Sequence, residues 1–305
     1  MLSVAAHGPL IDAETPGEFT DRALAASLQQ LEQSEHTNRR PSQDLQPIRA
    51  DVARYELYGG HMATYVLVPG FWLGGWAWRP VTQRLHERGH DLHPISLTGM
   101  AERASQAQPD TDLDTHIDDV VNLLTSRDLH DVILVGHSYG GLVATGAADR
   151  MPERIEQLVY VDTGPLPDGM SQNDFTPPDQ QTANADLVAN HGDGWLLPPP
   201  PWAALAARVP DVDDPAIETL TTNSVPQPWA TATSPVRLTG GWEKLRRLGI
   251  LSTFTTEQVH AMAATMPAFR HMTGNTWRYA ELPTWHWPMF SRPDDLAEIL
   301  HGATR

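Results

Sequence analysis

Val132-Ile133-Leu134-Val135-Gly136-His137-Ser138-Tyr139-Gly140-Gly141-Leu142 is the stretch on which the fold of this chain turns. Its first four residues form an apolar, β-branched run of the kind that builds a buried strand. From Leu142 to Arg150 apolar residues recur at three- and four-residue spacing, the period of a helix. A strand that becomes a helix within so few residues holds the side chain between them at a strained backbone position. It tolerates little bulk nearby, which is why glycines stand at 136 and 140. Ser138, at the centre of this Gly-x-Ser-x-Gly stretch, projects above the sheet as a candidate nucleophile. The N–H of Tyr139, at the start of the helix, faces the same point and is a candidate donor to an oxyanion forming on an attacked carbonyl.

Outward from this turn, short apolar runs alternate with helical patterns. Strands are predicted at Tyr65–Val68, Asp91–Ile95, Val132–Val135, Leu158–Val161, Ile250–Phe254 and Trp277–Leu282, and helices at Val81–Arg88, His116–Leu124, Leu142–Arg150, Glu257–Thr265 and Asp294–Leu300. Strand-helix alternation of this kind predicts an α/β fold with a mostly parallel sheet flanked by helices. One long interruption, about 163–249, is rich in Pro and Trp, with Pro198–Pro201 in a row and Trp195, Trp202, Trp229 and Trp242. An insert of that size resembles a cap or lid, its aromatics either walling an apolar pocket or filling a small core of their own. Residues 1–61 carry one amphipathic stretch, Phe19–Leu31, and are otherwise polar and Pro-broken. They are expected to form a loosely ordered extension, with Met62 standing as an alternative start just before the first strand.

The composition narrows the function classes. Lys and Arg total 21 against 38 Asp and Glu, a net charge of −17 over 305 residues. Such a surface repels nucleic acid. At 40% hydrophobic and 19% charged, the chain can bury a sizeable core. With no cysteine there is no disulfide, thiolate metal site or cysteine nucleophile, and with Lys244 the one lysine, little room remains for Schiff-base chemistry. No run approaches the ~18 apolar residues of a membrane span, and no secretory leader pattern opens the chain, so a cytoplasmic protein with a small-molecule substrate and no cofactor is expected.

An oxyanion hole needs a second donor. The loop after the first strand, Pro69-Gly70-Phe71-Trp72-Leu73-Gly74-Gly75-Trp76, is the natural source, through Phe71 N–H, with Trp76 and Trp78 packing beneath it. The general base is expected after the last strand, on the same sheet edge as the nucleophile. Of 14 histidines, His286, in Pro283-Thr284-Trp285-His286-Trp287-Pro288, meets that requirement. His137, beside the nucleophile, is expected to point into helix packing as a structural residue.

With these motifs in place, the chain from Met62 resembles the α/β-hydrolases, in particular the plant methyl esterase and hydroxynitrile lyase group and its bacterial relatives. Leu67 to Trp78, Asp131 to Asp162 and Trp277 to Leu300 carry the resemblance. It implies that Ser138 attacks an acyl carbon, that His286 moves the proton, and that an acid orients His286. Two departures stand out. The family usually has His-Gly where this chain has Pro69-Gly70, which removes a hydrogen bond that steadies the oxyanion loop. The acid normally follows the penultimate strand, yet Phe254-Thr255-Thr256-Glu257-Gln258 offers no Asp. Asp162, closing the neighbouring strand, and Glu257 are the two candidates. Asp162 is preferred, although a strand-ending Asp also caps turns such as Thr163-Gly164-Pro165.

Three function classes follow. A serine hydrolase acting on a small, largely apolar ester or lactone uses all of these residues and requires no cofactor. A hydroxynitrile-lyase-type cleavage is disfavoured: the plant lyases carry Thr where Gly70 stands and Lys where Trp287 stands. A non-catalytic small-molecule receptor fits the misplaced acid and the Trp-rich insert, but not the retention of both Ser138 and His286.

Overall fold

In strand β1 (Thr64–Val68) successive side chains face opposite ways, and both faces are buried. Val66 and Val68 belong to one apolar cluster, whereas Tyr65 and Leu67 belong to another. The same alternation in β3 (Val132–His137) sends Leu134 to the first cluster and Ile133 and Val135 to the second. The sheet therefore has a helical layer on each side. Helices α2 (Leu113–Ser126) and α3 (Tyr139–Arg150) cover the first face through Ile117, Val120, Leu124, Val143 and Ala147. On the second face, α1 (Arg79–Glu87) and α11 (Pro293–Gly302) contribute Val81, Leu85, Leu296 and Leu300. Each fully buried aliphatic side chain contributes roughly 1.5–3 kcal/mol relative to exposure.

The structure, a computed structural model, describes residues 62–206 and 213–303. The expectations for residues 1–61 lie outside this range. Six parallel strands run in the order β2-β1-β3-β4-β7-β8, with β2 at Asp91–Pro94, β4 at Ile155–Val161, β7 at Arg246–Leu251 and β8 at Trp277–Glu281. Each sequence-predicted strand and helix of the sheet framework is present, within a few residues. The largest shift is β7, which starts at Arg246 instead of Ile250. Two arginines in succession hide a strand from a hydropathy reading. Here the Arg247 guanidinium lies over the Trp242 and Trp277 rings, 5.1 and 5.4 Å from their centroids, which lets a cation sit in a largely buried strand.

Chain order reverses between β1 and β3, the switch point beside which α/β sheets open a crevice at their carboxyl ends. The register puts those ends level. Val68 pairs with Gly136, His137 with Val161, and Val161 with Ile250, so residues 70, 138, 162 and 251 come to lie side by side at the carboxyl edge of the sheet. Between β4 and β7 the chain forms α4 (Gln172–Phe175), α5 (Pro178–His191), β5 (Leu196–Leu197), α6 (Trp202–Ala206), α7 (Asp214–Asn223), β6 (Gln227–Pro228) and α8 (Ala230–Thr233). Strands β5 and β6 pair antiparallel, apart from the main sheet. After β7 come α9 (Thr256–Thr265), β8, and then α10 (Pro288–Ser291) and α11. Among the described residues no helix is long and apolar enough to cross a membrane.

Candidate active site

Ser138 sits between β3 and α3 with φ +51° and ψ −126°, a conformation an L-residue adopts only when its surroundings enforce it. The enforcement is steric as well as hydrogen-bonded. A Cβ on Gly136 would lie 2.4 Å from Gly140 O, and one on Gly140 would lie 2.5 Å from Val68 O, so neither position admits a side chain. Ser138 N–H donates to Val161 O at 3.2 Å, and Ser138 O accepts from Gly141 N–H at 2.9 Å. The strained turn is thus anchored on the neighbouring strand and on its own helix.

Asp162 leaves β4 at the same level and shares the left-handed backbone, φ +50°. Its side chain is fully buried. Oδ1 accepts from the N–H groups of Ser252 and Thr253, both at 2.8 Å, and Oδ2 accepts from Thr253 Oγ1 at 2.9 Å. The same Oδ2 lies 2.6 Å from His286 Nδ1. Burial alone pushes the Asp162 carboxyl up. The hydrogen bond and charge of His286, with the amides of Thr253 and Ser252, outweigh it and hold the group below its usual value. The carboxylate bonds the loop after β7 and not the Thr163-Gly164-Pro165 turn. Glu257, in the first turn of α9, is exposed to solvent and has no hydrogen bond to His286.

His286 lies in the loop between β8 and α10. That loop is tied to β7 by Leu282 N–H to Leu251 O (2.7 Å) and Thr284 N–H to Ser252 O (3.3 Å). With Nδ1 donating to Asp162, its Nε2 is the nitrogen available to take a proton. His286 and Ser138 share no hydrogen bond in the structure. They are linked through His137, the residue before the serine. Its Nε2 donates to His286 O at 2.7 Å, and the two rings lie 4.9 Å apart. His137 thus bears on the His286 loop, where helix packing was expected. Position 137 shares the β3 face of Ile133 and Val135, and at the strand's end that face meets Trp78 and Trp287. Burial brings its pKa down to about 3, so the ring is neutral.

The loop after β1 sits over Ser138: a Cβ on Gly70 would be 3.0 Å from Ser138 Cβ. Neither Phe71 N–H nor Tyr139 N–H has a protein acceptor among the described residues. Their side chains stack on one another, centroids 4.5 Å apart at 27°. Trp78 is buried beneath the loop, and Trp76 packs on Phe290. The structure thus gathers Ser138, His286, Asp162, Phe71 and Tyr139 at one end of the sheet.

Of the insert's tryptophans, Trp202 reaches this region. It meets Trp72, Trp285 and Trp287 edge-on at 6.0, 6.4 and 5.0 Å. Trp242 does not: it is buried in the main core against Arg247 and His271, a place set by the approach of the chain to β7. No sequence motif singles out Thr253, Gln227 or Thr231, all of which bear on the site. Thr253 could have been found by asking what donates to a buried Asp162 across the next strand. Gln227 acts on Trp72 across 155 residues and Thr231 acts through Gln227, so neither left such a signal. No cluster of three or more metal-ligating side chains occurs among the described residues.

Comparison with known proteins places these features in context. A model of the alpha/beta hydrolase family matches residues 65–299. A carbendazim hydrolyzing esterase from Nocardioides sp. is 34% identical over 249 residues, covering 78% of this chain and 98% of that protein. Methylesterase 8 of Arabidopsis thaliana is 32% identical over 112 residues, 36% of this chain and 41% of that protein. Among solved structures, an extracellular alpha/beta-hydrolase from a Paenibacillus species superimposes with a TM-score of 0.67 at 20% identity. That superposition covers 80% of this chain and 99% of the other.

Proposed function

This chain belongs to the alpha/beta hydrolase family, and from that membership we propose that it is a serine esterase that cleaves a small, largely apolar carboxylic ester or lactone. One observation carries the reading: the 2.6 Å contact between His286 Nδ1 and a buried Asp162, at a strand end beside the strained Ser138.

The residues divide the chemistry as follows. Asp162 accepts from Nδ1–H and so presents His286 Nε2 as a base. Nε2 takes the Ser138 proton as Oγ attacks the acyl carbon, and Asp162 stabilises the imidazolium that results. The carbonyl electron pair moves to oxygen, where the N–H groups of Phe71 and Tyr139 receive it. Collapse expels the alcohol, protonated by His286, and leaves an acyl group on Ser138. A water activated by His286 then releases the acid and restores the hydroxyl. Every step uses groups of the chain itself.

The test is a panel of p-nitrophenyl esters and lactones, with carbendazim added because the Nocardioides relative is named for it, run beside a fluorophosphonate probe. Turnover of at least one ester is expected, with labelling at Ser138 that disappears in Ser138→Ala. Labelling that persists in that variant, or binding of apolar ligands without turnover, would overturn the reading in favour of a nucleophile elsewhere or a receptor.

A further inference from the structure

Trp72 holds a backbone conformation that a non-glycine residue rarely keeps, φ +66°. It is the third residue of the tight turn Gly70–Leu73, closed by Leu73 N–H to Gly70 O at 3.4 Å. A positive φ at that place alone is the mark of a type II turn, in which glycine is the favoured occupant. Flipping the Phe71–Trp72 peptide would relieve the strain and turn the loop into the commoner type I form. Something must oppose that flip, because the loop also carries Phe71 N–H.

The opposing bonds all come from the segment between β4 and β7. Trp72 N–H donates to Gln227 Oε1 at 3.1 Å, its indole Nε1–H donates to Leu197 O at 3.2 Å, and its carbonyl accepts from Val225 N–H at 3.1 Å. Gln227 is buried and fixed in turn. Its Nε2 donates to Thr231 Oγ1 at 2.8 Å, and Thr231 donates to Pro228 O at 2.6 Å. A peptide flip would aim Phe71 O, in place of an N–H, at a buried amide oxygen, a repulsive contact where an attractive one stood.

We propose that Gln227 is a positioning residue: held by Thr231, it locks the Phe71–Trp72 peptide from the insert and so fixes the strained turn that carries the Phe71 N–H over Ser138. This rests on the esterase reading of Ser138, Phe71 and Tyr139. Gln227 touches neither substrate nor the reacting atoms. Its effect belongs to the transition state, because only then does the carbonyl oxygen carry the charge that the two N–H groups meet.

The test compares Gln227→Met, which keeps the volume and removes both hydrogen bonds, with Gln227→Glu, which keeps an oxygen facing Trp72 N–H while the Thr231 hydroxyl turns to donate to it. For the best ester of the panel, Gln227→Met should lower kcat about 10- to 100-fold with KM within about twofold, short of the 10²–10³ lost when a donor is deleted outright. Phosphonylation of Ser138 should slow in parallel, the pH midpoint of kcat/KM should stay in place, and Gln227→Glu should recover most of the loss. Thr231→Val, nearly isosteric, should show the same split in smaller measure, and it decides the matter if Gln227→Met does not fold. A kcat unchanged in folded Gln227→Met, or a loss confined to KM, overturns the proposal and leaves the esterase reading intact. A parent protein that hydrolyses no ester and takes no label at Ser138 removes the esterase reading itself, and the inference falls with it.

Discussion

Four hydrogen bonds hold the carboxylate of Asp162, which we propose orients His286. Ser252 and Thr253, just past the end of β7, supply three of the donors, and the carboxylate they hold reaches across from β4 to His286 Nδ1. Replacing the carboxylate by an amide inverts the logic: an Asn can face His286 Nδ1 with its NH₂ and trap the ring in the tautomer that carries hydrogen on Nε2. In the triad template this costs about 10⁴-fold in kcat, so Asp162→Asn is expected to lose at least ~10²-fold. Glu257→Gln should stay within about threefold, since its side chain is solvated. Steady-state kinetics on folded protein checks both, and a collapse of kcat in Glu257→Gln with Asp162→Asn near normal would place the acid in α9.

At the scale of elements, the sheet framework was legible because its strands are short apolar runs and its helices keep an apolar period. The elbow was legible because Gly136, Ser138 and Gly140 are a local pattern with a local cause. What escaped depends on distance. Nothing near Arg246-Arg247 announces that Trp242 and Trp277 will flank the cation, and nothing near Trp72 announces a positive φ held from residues 197, 225 and 227. The proline-rich insert has no period to read, so whether its tryptophans wall a pocket or fill a core could only be settled side chain by side chain. Trp202 illustrates the outcome. It is nearly fully buried among Trp72, Trp285 and Trp287, while its indole N–H has no hydrogen-bond partner among the described residues. Trp202→Ala should therefore destabilise the protein by about 3–5 kcal/mol, the ordinary cost of removing a packed Trp. Trp202→Phe gives up area but also an unsatisfied donor, and should cost less than half as much. Urea denaturation of the pair measures the difference, and equal losses would mean that the N–H is satisfied after all.

For the molecule as a whole, acid sensitivity is set by histidines that the fold keeps neutral, His90, His116 and His137 among the described residues. His116 is fully buried on α2. Its Nε2–H donates to Thr98 O at 2.8 Å, and its Nδ1 accepts from the Tyr139 hydroxyl. Burial lowers its pKa to about 4, as burial lowers that of His90 to about 4 and that of His137 to about 3. In the unfolded chain all three titrate near pH ~6.5. As pH falls below that value the unfolded state takes up protons that the native state refuses, so stability is full above about pH 6.5 and declines until the native histidines also protonate near 3–4. Asp162, with its lowered carboxyl, adds a loss of the same sign only at still lower pH. Each buried histidine contributes a slope of up to ~1.4 kcal/mol per pH unit, and three such slopes consume much of a typical 5–15 kcal/mol within about two units. The melting temperature should accordingly fall steeply between pH 6.5 and 4.5. His116→Gln keeps a donor for Thr98 O and an acceptor for Tyr139 but cannot titrate, so it should remove about a third of that slope while changing the stability at pH 7.5 much less. Thermal melts of both proteins across this range decide the point, and parallel curves would show that the acid sensitivity arises elsewhere.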